Sequence, residues 1–248
     1  MVILRIKQAI STNKFFKILF FTFIIVVTIF YFKIFFTTGV HFDDAFLVKD
    51  VVNSDNHYIG RSQYGGIHIT VKGLRNVTGS VDVIYRLPNN INRKYTVNFK
   101  DAGNWDLGIR NIKDRDGNII FEGEYRKDSL FLLDKTGCPL IDEDNIIRVL
   151  VNGESPYNAD YKVSLKNVAD FANFADDTIR GRYEFLLLAM LLFVLTWIDI
   201  KFPLFFFSLK HFLDVRDPEP SDFYIYMQKI SWYVLPVIGI VLMIVAIN

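Results

Sequence analysis

The sequence predicts a membrane protein with three transmembrane helices and an all-β, antiparallel, sandwich-like domain inserted between the first two helices. Three observations lead to this fold class. The chain is 51% hydrophobic and 16% aromatic, with 24 phenylalanines among 248 residues, which exceeds the usual composition of a soluble domain. Three of its segments are apolar over a length that can cross a bilayer. Between the first two segments lies a long polar insert with alternating apolar residues.

The three apolar segments define the predicted membrane helices. They cover 15–36, 183–200 and 222–247, and each is close to or above the roughly 20 residues that a bilayer requires. The third helix has an interfacial start, because aromatic and polar residues fill its first two turns. The segment 201–221 contains a shorter, interrupted apolar run and is predicted to lie at the cytoplasmic interface.

Basic residues predict the orientation. The tail 1–14 contains Arg5, Lys7 and Lys14 and no acidic residue. The segment 201–221 also carries basic residues, and both are therefore expected in the cytoplasm. The first apolar run is longer than the apolar part of a signal peptide and no small-residue cleavage site follows it, so it predicts an uncleaved signal anchor. The expected location is the plasma membrane, with the insert outside the cell.

The insert 37–164 is predicted to be β-rich and extracytoplasmic. Several of its segments alternate apolar and polar residues with the period of a strand. Examples on one predicted face are Ile67, Ile69, Val71, Val81, Val83, Tyr85, Tyr95, Val97 and Phe99. Asp116-Gly117 predicts a tight hairpin turn, since glycine accepts a positive φ, and 145–153 predicts a further strand. The regular spacing of turn signals favours two packed antiparallel sheets.

The segment 165–182 predicts a helix. Val168, Phe171 and Ala175 recur at helical spacing, so one side of this helix should be apolar. Two placements are open at this point. The helix either docks on the β domain or continues into the second membrane helix as a stalk.

The candidate ligands and nucleophiles of the insert do not form a known site. His41 lies beside Asp43 and Asp44, but the spacing matches no metal-ligand pattern. The single cysteine, Cys138, excludes an internal disulfide. The segment around Asp116 resembles half of a calcium loop but lacks the distal glutamate. We therefore predict no metal and no cofactor.

Other functional classes are also disfavoured. Catalytic motifs such as a P-loop, a nucleophile elbow or a zinc-protease helix do not occur, so the sequence predicts no enzyme. Lys and Arg total 28 against 27 for Asp and Glu, and this balance does not indicate nucleic-acid binding. Asp199 and Lys201 follow an apolar stretch of about 21 Å in helical form. They are interpreted as charges at the cytoplasmic boundary of the second membrane helix.

The sequence before the third membrane helix predicts how that helix begins. Pro220 keeps the preceding backbone extended, Ser221 is a good N-cap, and Asp222 complements the positive end of the helix dipole. These three residues are the predicted structural site, a helix launch. No catalytic, cofactor-binding or metal-binding residue is predicted.

The same region resembles a family of small membrane proteins from Gram-positive bacteria for which no activity is established. The resemblance lies in a Glu-Pro-Ser-Asp box, then a basic residue and a glycine within an apolar run. The matching residues here are Glu219, Pro220, Ser221, Asp222, Lys229 and Gly239. The family has Arg-Ile-Gly-Gly where this chain has Lys229-Ile230-Ser231-Trp232. The resemblance implies a bacterial plasma membrane and covers the C-terminal part only.

These observations lead to two expected functions. The first is a non-enzymatic, multi-pass membrane protein that displays an extracytoplasmic β domain for binding or sensing. The alternative is an accessory subunit of a membrane transporter or envelope complex, and an extracytoplasmic hydrolase is the third reading. The lipid bilayer is the one partner that the sequence specifies, and a membrane or cell-envelope protein is the other expected partner.

Overall fold

The computed structural model describes residues 14–73, 79–100, 108–140, 155–158, 160–174, 176–211 and 219–248. The predicted strand at 145–153 and nearly all of the predicted tail 1–14 lie outside these residues. The chain divides into two compact units. The helical unit consists of the residues up to Thr37 together with Ile179–Asn248, and the sheet unit is Thr38–Thr178.

Five α-helices occur among the described residues. They are α1 (Lys14–Phe35), α2 (Leu165–Asn173), α3 (Tyr183–Lys201), α4 (Phe205–His211) and α5 (Asp222–Val245). By length and composition, α1, α3 and α5 can each cross a membrane. The prediction of three membrane-length apolar helices is thus confirmed. Helix α3 ends at Lys201, two residues before Pro203, because the residue before a proline is disfavoured in helical conformation.

Helices α3 and α5 pack against each other through small residues. Ala189 of α3 is fully buried, and the ring of Phe193 lies against Gly239 of α5. A Cβ atom at Gly239 would come within 2.9 Å of that ring. The absence of a side chain therefore permits a close approach of the two helices, as is common between membrane helices.

The ends of three helices meet at one end of the helical unit. The N–H of Gly181 donates to the carbonyl of Phe35 over 2.8 Å, and the N–H of Arg182 donates to the carbonyl of Ala246 over 2.8 Å. The N–H of Arg180 donates to the carbonyl of Thr37 over 2.9 Å. These bonds, here called the clasp, hold together the end of α1, the start of α3 and the end of α5.

The strands form one antiparallel sheet. They are β1 (Thr38–Phe42), β2 (Ala45–Val52), β3 (Asp55–Ser62), β4 (Gly65–Lys72), β5 (Ser80–Leu87), β6 (Ile91–Phe99), β7 (Ile109–Lys113), β8 (Ile119–Glu124), β9 (Leu133–Asp134) and β10 (Thr178–Ile179). Their order in the sheet is β10-β1-β2-β3-β4-β5-β6-β7-β8-β9. The predicted antiparallel β architecture is confirmed. The two packed sheets of a sandwich are replaced by a single ten-stranded sheet, because hairpins connect β1 to β9 in sequential order.

One face of this sheet carries the core. The alternation of apolar residues identified from the sequence coincides with buried positions along β4, β5 and β6. The fully or nearly fully buried side chains there include Ile67, Ile69, Val71, Val81, Val83, Tyr85 and Val97. The opposite face carries polar residues, as expected for an antiparallel sheet with one solvated side.

Helix α2 covers the core face of the sheet. The ring of Phe171 packs against Phe42, Tyr58 and Tyr85 with centroid distances of 6.1, 5.0 and 5.9 Å. The helix ends at Asn173, where Phe174 adopts a left-handed backbone with φ of 52°. Strand β10 follows before α3 begins, so α2 docks on the sheet and is not continuous with α3.

Candidate functional site

The helical unit contains a buried carboxylate, that of Asp199. Its side chain sits near the end of α3 and is 8% exposed. Gln228 Nε2 donates to Asp199 Oδ1 over 2.7 Å, and Trp232 Nε1 donates to Asp199 Oδ2 over 2.7 Å. Gln228 and Trp232 are four residues apart on α5, so they lie on one face of that helix. Both carboxylate oxygens are therefore bonded to the neighbouring helix.

Among the described residues, the hydrogen-bond donors to Asp199 are neutral groups of α5. The sequence interpretation grouped Asp199 with Lys201, but Lys201 is exposed and its Nζ lies 4.8 Å from the centroid of the Trp197 ring. A buried carboxylate requires compensating hydrogen bonds, and α5 provides two of them. Buried ionisable groups between membrane-length helices are candidates for a functional role.

A cleft opens beside this carboxylate. Its volume is about 470 Å³. Most of its lining is apolar, and the polar exceptions are concentrated around the carboxylate. The lining residues are Leu195, Asp199, Phe206, Tyr224, Met227, Gln228, Ser231 and Leu235. The cleft can therefore accept an apolar group from a lipid or a neighbouring protein, with a hydrogen-bond acceptor at its polar end.

The predicted helix launch lies at the start of α5. Ser221 precedes the helix with extended backbone angles, φ −69° and ψ 153°, and Asp222 is the first helical residue. The N–H of Tyr224 donates to Ser221 Oγ over 3.2 Å. Pro220 is half-buried and Glu219 is exposed. This geometry is that of an N-cap, which satisfies one of the unpaired N–H groups of the first turn.

The sequence neighbours around His41 are not brought together as a site. His41 packs edge-on against Phe46, with ring centroids 5.0 Å apart. Asp43 accepts a hydrogen bond of 2.6 Å from the hydroxyl of Tyr157. Burial and this bond raise the pKa of Tyr157, which keeps it protonated as the donor. Among the described residues, no group of three or more His, Cys, Asp and Glu side chains could hold a metal ion.

Two other sequence candidates have structural roles in turns. Asp114 Oδ1 accepts bonds from the N–H groups of Asp116 and Asn118 over 3.0 and 2.8 Å. Asp134 Oδ1 accepts from the N–H of Cys138 over 3.0 Å, and Cys138 is exposed. These carboxylates use their oxygens within the turns that contain them.

Sequence reasoning did not identify the contact between His57 and His68. The two side chains lie on neighbouring strands, β3 and β4, on the polar face of the sheet. The signal was present in the sequence, since both residues occupy polar positions of alternating strands joined by a short turn. Their contact nevertheless depends on the register of the hairpin, which the sequence alone did not define.

The fold and the site together define a protein with three membrane-length helices and a large antiparallel sheet. A model of the family of unknown function DUF6199 matches residues 188–246. The match covers most of α3 and all of α4 and α5, and therefore includes Asp199, Gln228 and Trp232. A family match in the C-terminal part agrees in location with the resemblance found from the sequence. No curated protein and no solved structure matches this chain.

Proposed function

We propose that this is a multi-pass plasma-membrane protein that displays its sheet unit outside the cell to bind or sense a ligand, without enzymatic activity. One observation carries the proposal. The membrane-length helices and the sheet belong to separate compact units, and the sheet has a core of its own. Such a division suits a membrane anchor that presents a folded binding domain.

The clasp supports the proposed number of crossings. It joins the end of α1, the start of α3 and the end of α5, so these three ends lie on the same side if all three helices cross a bilayer. The basic residues before α1 support a cytoplasmic start. In this arrangement, Arg180 lies on the side opposite the cytoplasm, where the charge bias disfavours basic residues. Its Nε nevertheless donates to the carbonyl of Ile247 over 2.9 Å. Its charge thereby complements the negative end of α5.

The family resemblance adds a proposed source. The Glu-Pro-Ser-Asp box at Glu219, Pro220, Ser221 and Asp222 suggests a Gram-positive bacterium and its plasma membrane, and the long first apolar run suggests an uncleaved signal anchor. A β domain without disulfides agrees with this source, because the chain has a single cysteine. The box itself is proposed to start α5 and to have no direct role in ligand binding.

The orientation can be tested with the native cysteine. Cys138 is exposed in the sheet unit, so a membrane-impermeant maleimide should label it in intact cells. Cys138→Ser should abolish the labelling. A second variant, Cys138→Ser with Ser208→Cys on the exposed side of α4, should be labelled only after lysis. The reverse pattern, with Cys138 protected until lysis, would contradict the proposal.

The accessory-subunit function is a second candidate, and the cleft beside Asp199 favours it. Its proposed occupant is a transmembrane helix of a partner protein, whose apolar side chains fit the lining. A photocrosslinking residue at Met227, which lines the cleft, should then capture one protein. The matched control is Ile240, an exposed residue of the same helix. Crosslinks to lipid alone at both positions would reject this candidate.

A further inference from the structure

Three side-chain atoms converge on the polar face of the sheet. His57 of β3 is paired with Thr70 of β4, and His68 lies two residues before Thr70 on the same strand. His57 Nδ1 and His68 Nε2 are 3.0 Å apart. Thr70 Oγ1 lies 3.3 Å from each of these nitrogens. The two nitrogens and the oxygen therefore form a nearly equilateral triangle.

The size of this triangle matches the ligand spacing around a small divalent metal ion. Zinc–nitrogen bonds of about 2.0–2.1 Å in a tetrahedral site hold neighbouring ligand atoms about 3.3 Å apart. An octahedral ion with similar bonds holds adjacent ligands about 3.0 Å apart. A direct hydrogen bond between two neutral imidazoles explains the nitrogen–nitrogen contact alone. Without a metal ion, the hydroxyl of Thr70 can donate to one ring nitrogen and accept from the other, so the same triangle is then a hydrogen-bonded network.

We propose that His57 Nδ1, His68 Nε2 and Thr70 Oγ1 bind one divalent transition-metal ion, of which zinc is the representative, with water completing the coordination. Imidazole nitrogen suits zinc, copper and nickel. Of the described residues, none adds a third His, Cys, Asp or Glu ligand, so the hydroxyl of Thr70 is the third protein ligand. The inference goes beyond the proposed function, because it does not depend on which side of the membrane the sheet unit occupies.

The surroundings favour the neutral form of His68, which is the metal-binding form of an imidazole. Burial lowers the pKa of His68, and the nearby His57 and the positive charge of Arg86 lower it further. His68 therefore keeps a free electron pair at neutral pH. Charged residues face the cluster from both neighbouring strands. Asp50 of β2 is paired with His57, and Arg86 of β5 is paired with His68, so the register gives the cluster one acidic and one basic neighbour.

Binding is tested with the untagged full-length protein in detergent. Calorimetric titration with zinc chloride should give a stoichiometry of one bound ion per chain. His57→Gln and His68→Gln should each lower the affinity at least about tenfold, because even the loss of an indirect partner of a metal ligand costs that much. His41→Gln is the matched control, because His41 lies on β1 and packs against Phe46 of β2. This variant should bind zinc like the native protein.

A spectroscopic measurement on the native chain removes any dependence on variant folding. Pulsed electron paramagnetic resonance of the copper(II)-loaded protein should show nitrogen modulation from two imidazoles. Thr70→Val should retain both imidazoles and weaken binding. Zinc binding that is unchanged in the His57→Gln/His68→Gln double variant would overturn the proposal. So would a copper spectrum with one imidazole or none.

Discussion

The two units bury carboxylates in different ways. In the helical unit, Asp199 accepts hydrogen bonds from two neutral groups, Gln228 and Trp232. In the sheet unit, the buried Asp170 and the half-buried Asp177 each combine a tyrosine hydroxyl with a lysine. Tyr125 and Lys166 donate to Asp170, and Tyr58 and Lys49 donate to Asp177. Among the described residues, the carboxylates of the sheet unit thus have a charged partner, whereas the carboxylate of Asp199 has neutral donors.

The difference agrees with the surface that each unit exposes. The sheet has a polar face and a core face, so lysine side chains can reach a carboxylate at the rim of the core and remain partly hydrated. Helices α1, α3 and α5 expose apolar side chains along their length. A lysine between such helices would need its own compensation in a lipid environment, whereas an indole or amide donor carries no net charge. In this chain, the partner of each acid thus agrees with the polarity of the exposed surface around it.

The sheet unit also shows why its tyrosines act as donors. Burial raises the pKa of Tyr58, and the hydrogen bond to Asp177 and the charge of Asp177 raise it further. Burial also raises the pKa of Tyr125, and the charge of Asp170, the hydrogen bond to Asp170 and the charges of Asp176 and Asp128 raise it further. Both hydroxyls therefore remain protonated at neutral pH. The two Tyr–Asp–Lys groups connect α2 and the residues after it to β2, β3 and the end of β8.

The largest expected effect tests whether the units are independent. Phe171→Ala removes a side chain that is 3% exposed and contacts three aromatic rings. Its loss should destabilise the sheet unit by about 3–5 kcal/mol, because a cavity remains in the core. Limited proteolysis in increasing urea measures this for the full chain in detergent.

The control for this change is Phe131→Ala, since Phe131 is 38% exposed in the same unit. It should alter the stability by less than about 0.5 kcal/mol. The protease resistance of the helical unit should be unchanged in both variants. Parallel loss of both units in Phe171→Ala would show that they unfold together and would remove the basis of the comparison.

The next effect concerns the neutral compensation of Asp199. Asp199→Ala leaves the donors of Gln228 and Trp232 without their acceptor and should destabilise the helical unit by about 1–2 kcal/mol, in line with hydrogen bonds between membrane helices. Asp199→Asn keeps one acceptor oxygen and should cost less. The measurement is the fraction of protein that remains monodisperse after heating in detergent.

Glu184→Ala serves as the control on the same helix, because Glu184 is exposed in the first turn of α3. This variant should match the native protein in the heating assay. Equal stability of Asp199→Ala and Glu184→Ala would mean that the buried hydrogen bonds contribute nothing. The different partners of the buried acids in the two units would then make no measurable difference to stability.

A smaller effect is expected at the start of α5. Ser221→Ala should lower stability by about 1 kcal/mol, because the N-cap bond to Tyr224 is lost. Ser221→Asp and Glu219→Gln should be nearly neutral, and Asp222→Asn should lose only the charge–dipole interaction, about 0.3–1 kcal/mol. Membrane abundance and protease resistance of the four variants, compared in parallel, measure the difference. Loss of a co-purifying protein in Glu219→Gln, with Ser221→Ala silent, would instead identify the box as an interaction motif.

The smallest effect is a pH dependence in a turn of the sheet unit. Hydrogen bonds from Asn118, Asp116 and Gly117 lower the pKa of Asp114 below its ordinary value. The folded state therefore favours the ionised form, and its contribution is present above the ordinary pKa of about 3.9 and is lost as the pH falls through the lowered value. Asp114→Ala should reduce the melting temperature of the sheet unit at neutral pH, and the difference from the native protein should disappear in strong acid.

Asp116→Ala is the control for that measurement, because Asp116 is an exposed residue of the same turn. Its melting temperature should follow the native protein across the pH range. A difference between Asp114→Ala and the native chain that does not depend on pH would show that the carboxylate charge has no part in the turn.

Much of the fold was predictable because its signals are local. The three apolar segments matched α1, α3 and α5, and period-two alternation matched β4, β5 and β6. The number of sheets was not predictable in the same way. Alternation defines which residues of a strand are buried, but it does not define whether the next strand extends the same sheet or begins another.

The candidate sites depended on contacts between distant parts of the chain. Asp199 could be placed near a helix end from the sequence, but Gln228 and Trp232 are 29 and 33 residues away on another helix. Their meeting depends on the close packing of Gly239 against Phe193. The side-chain contact between His57 and His68 depends on the hairpin register. The N-cap at Ser221 involves residues three apart, and its elements could therefore be recognised directly.

The clasp has a consequence for the redesign of this protein by domain exchange. It brings the carbonyl of Thr37 to 2.9 Å from the N–H of Arg180, so the points where the chain leaves and re-enters the helical unit are adjacent. An inserted domain whose two ends are close can be exchanged for another, or removed with a short linker, without stretching its host. The geometry at the clasp is therefore compatible with replacing the sheet unit by another domain while the helical unit is kept.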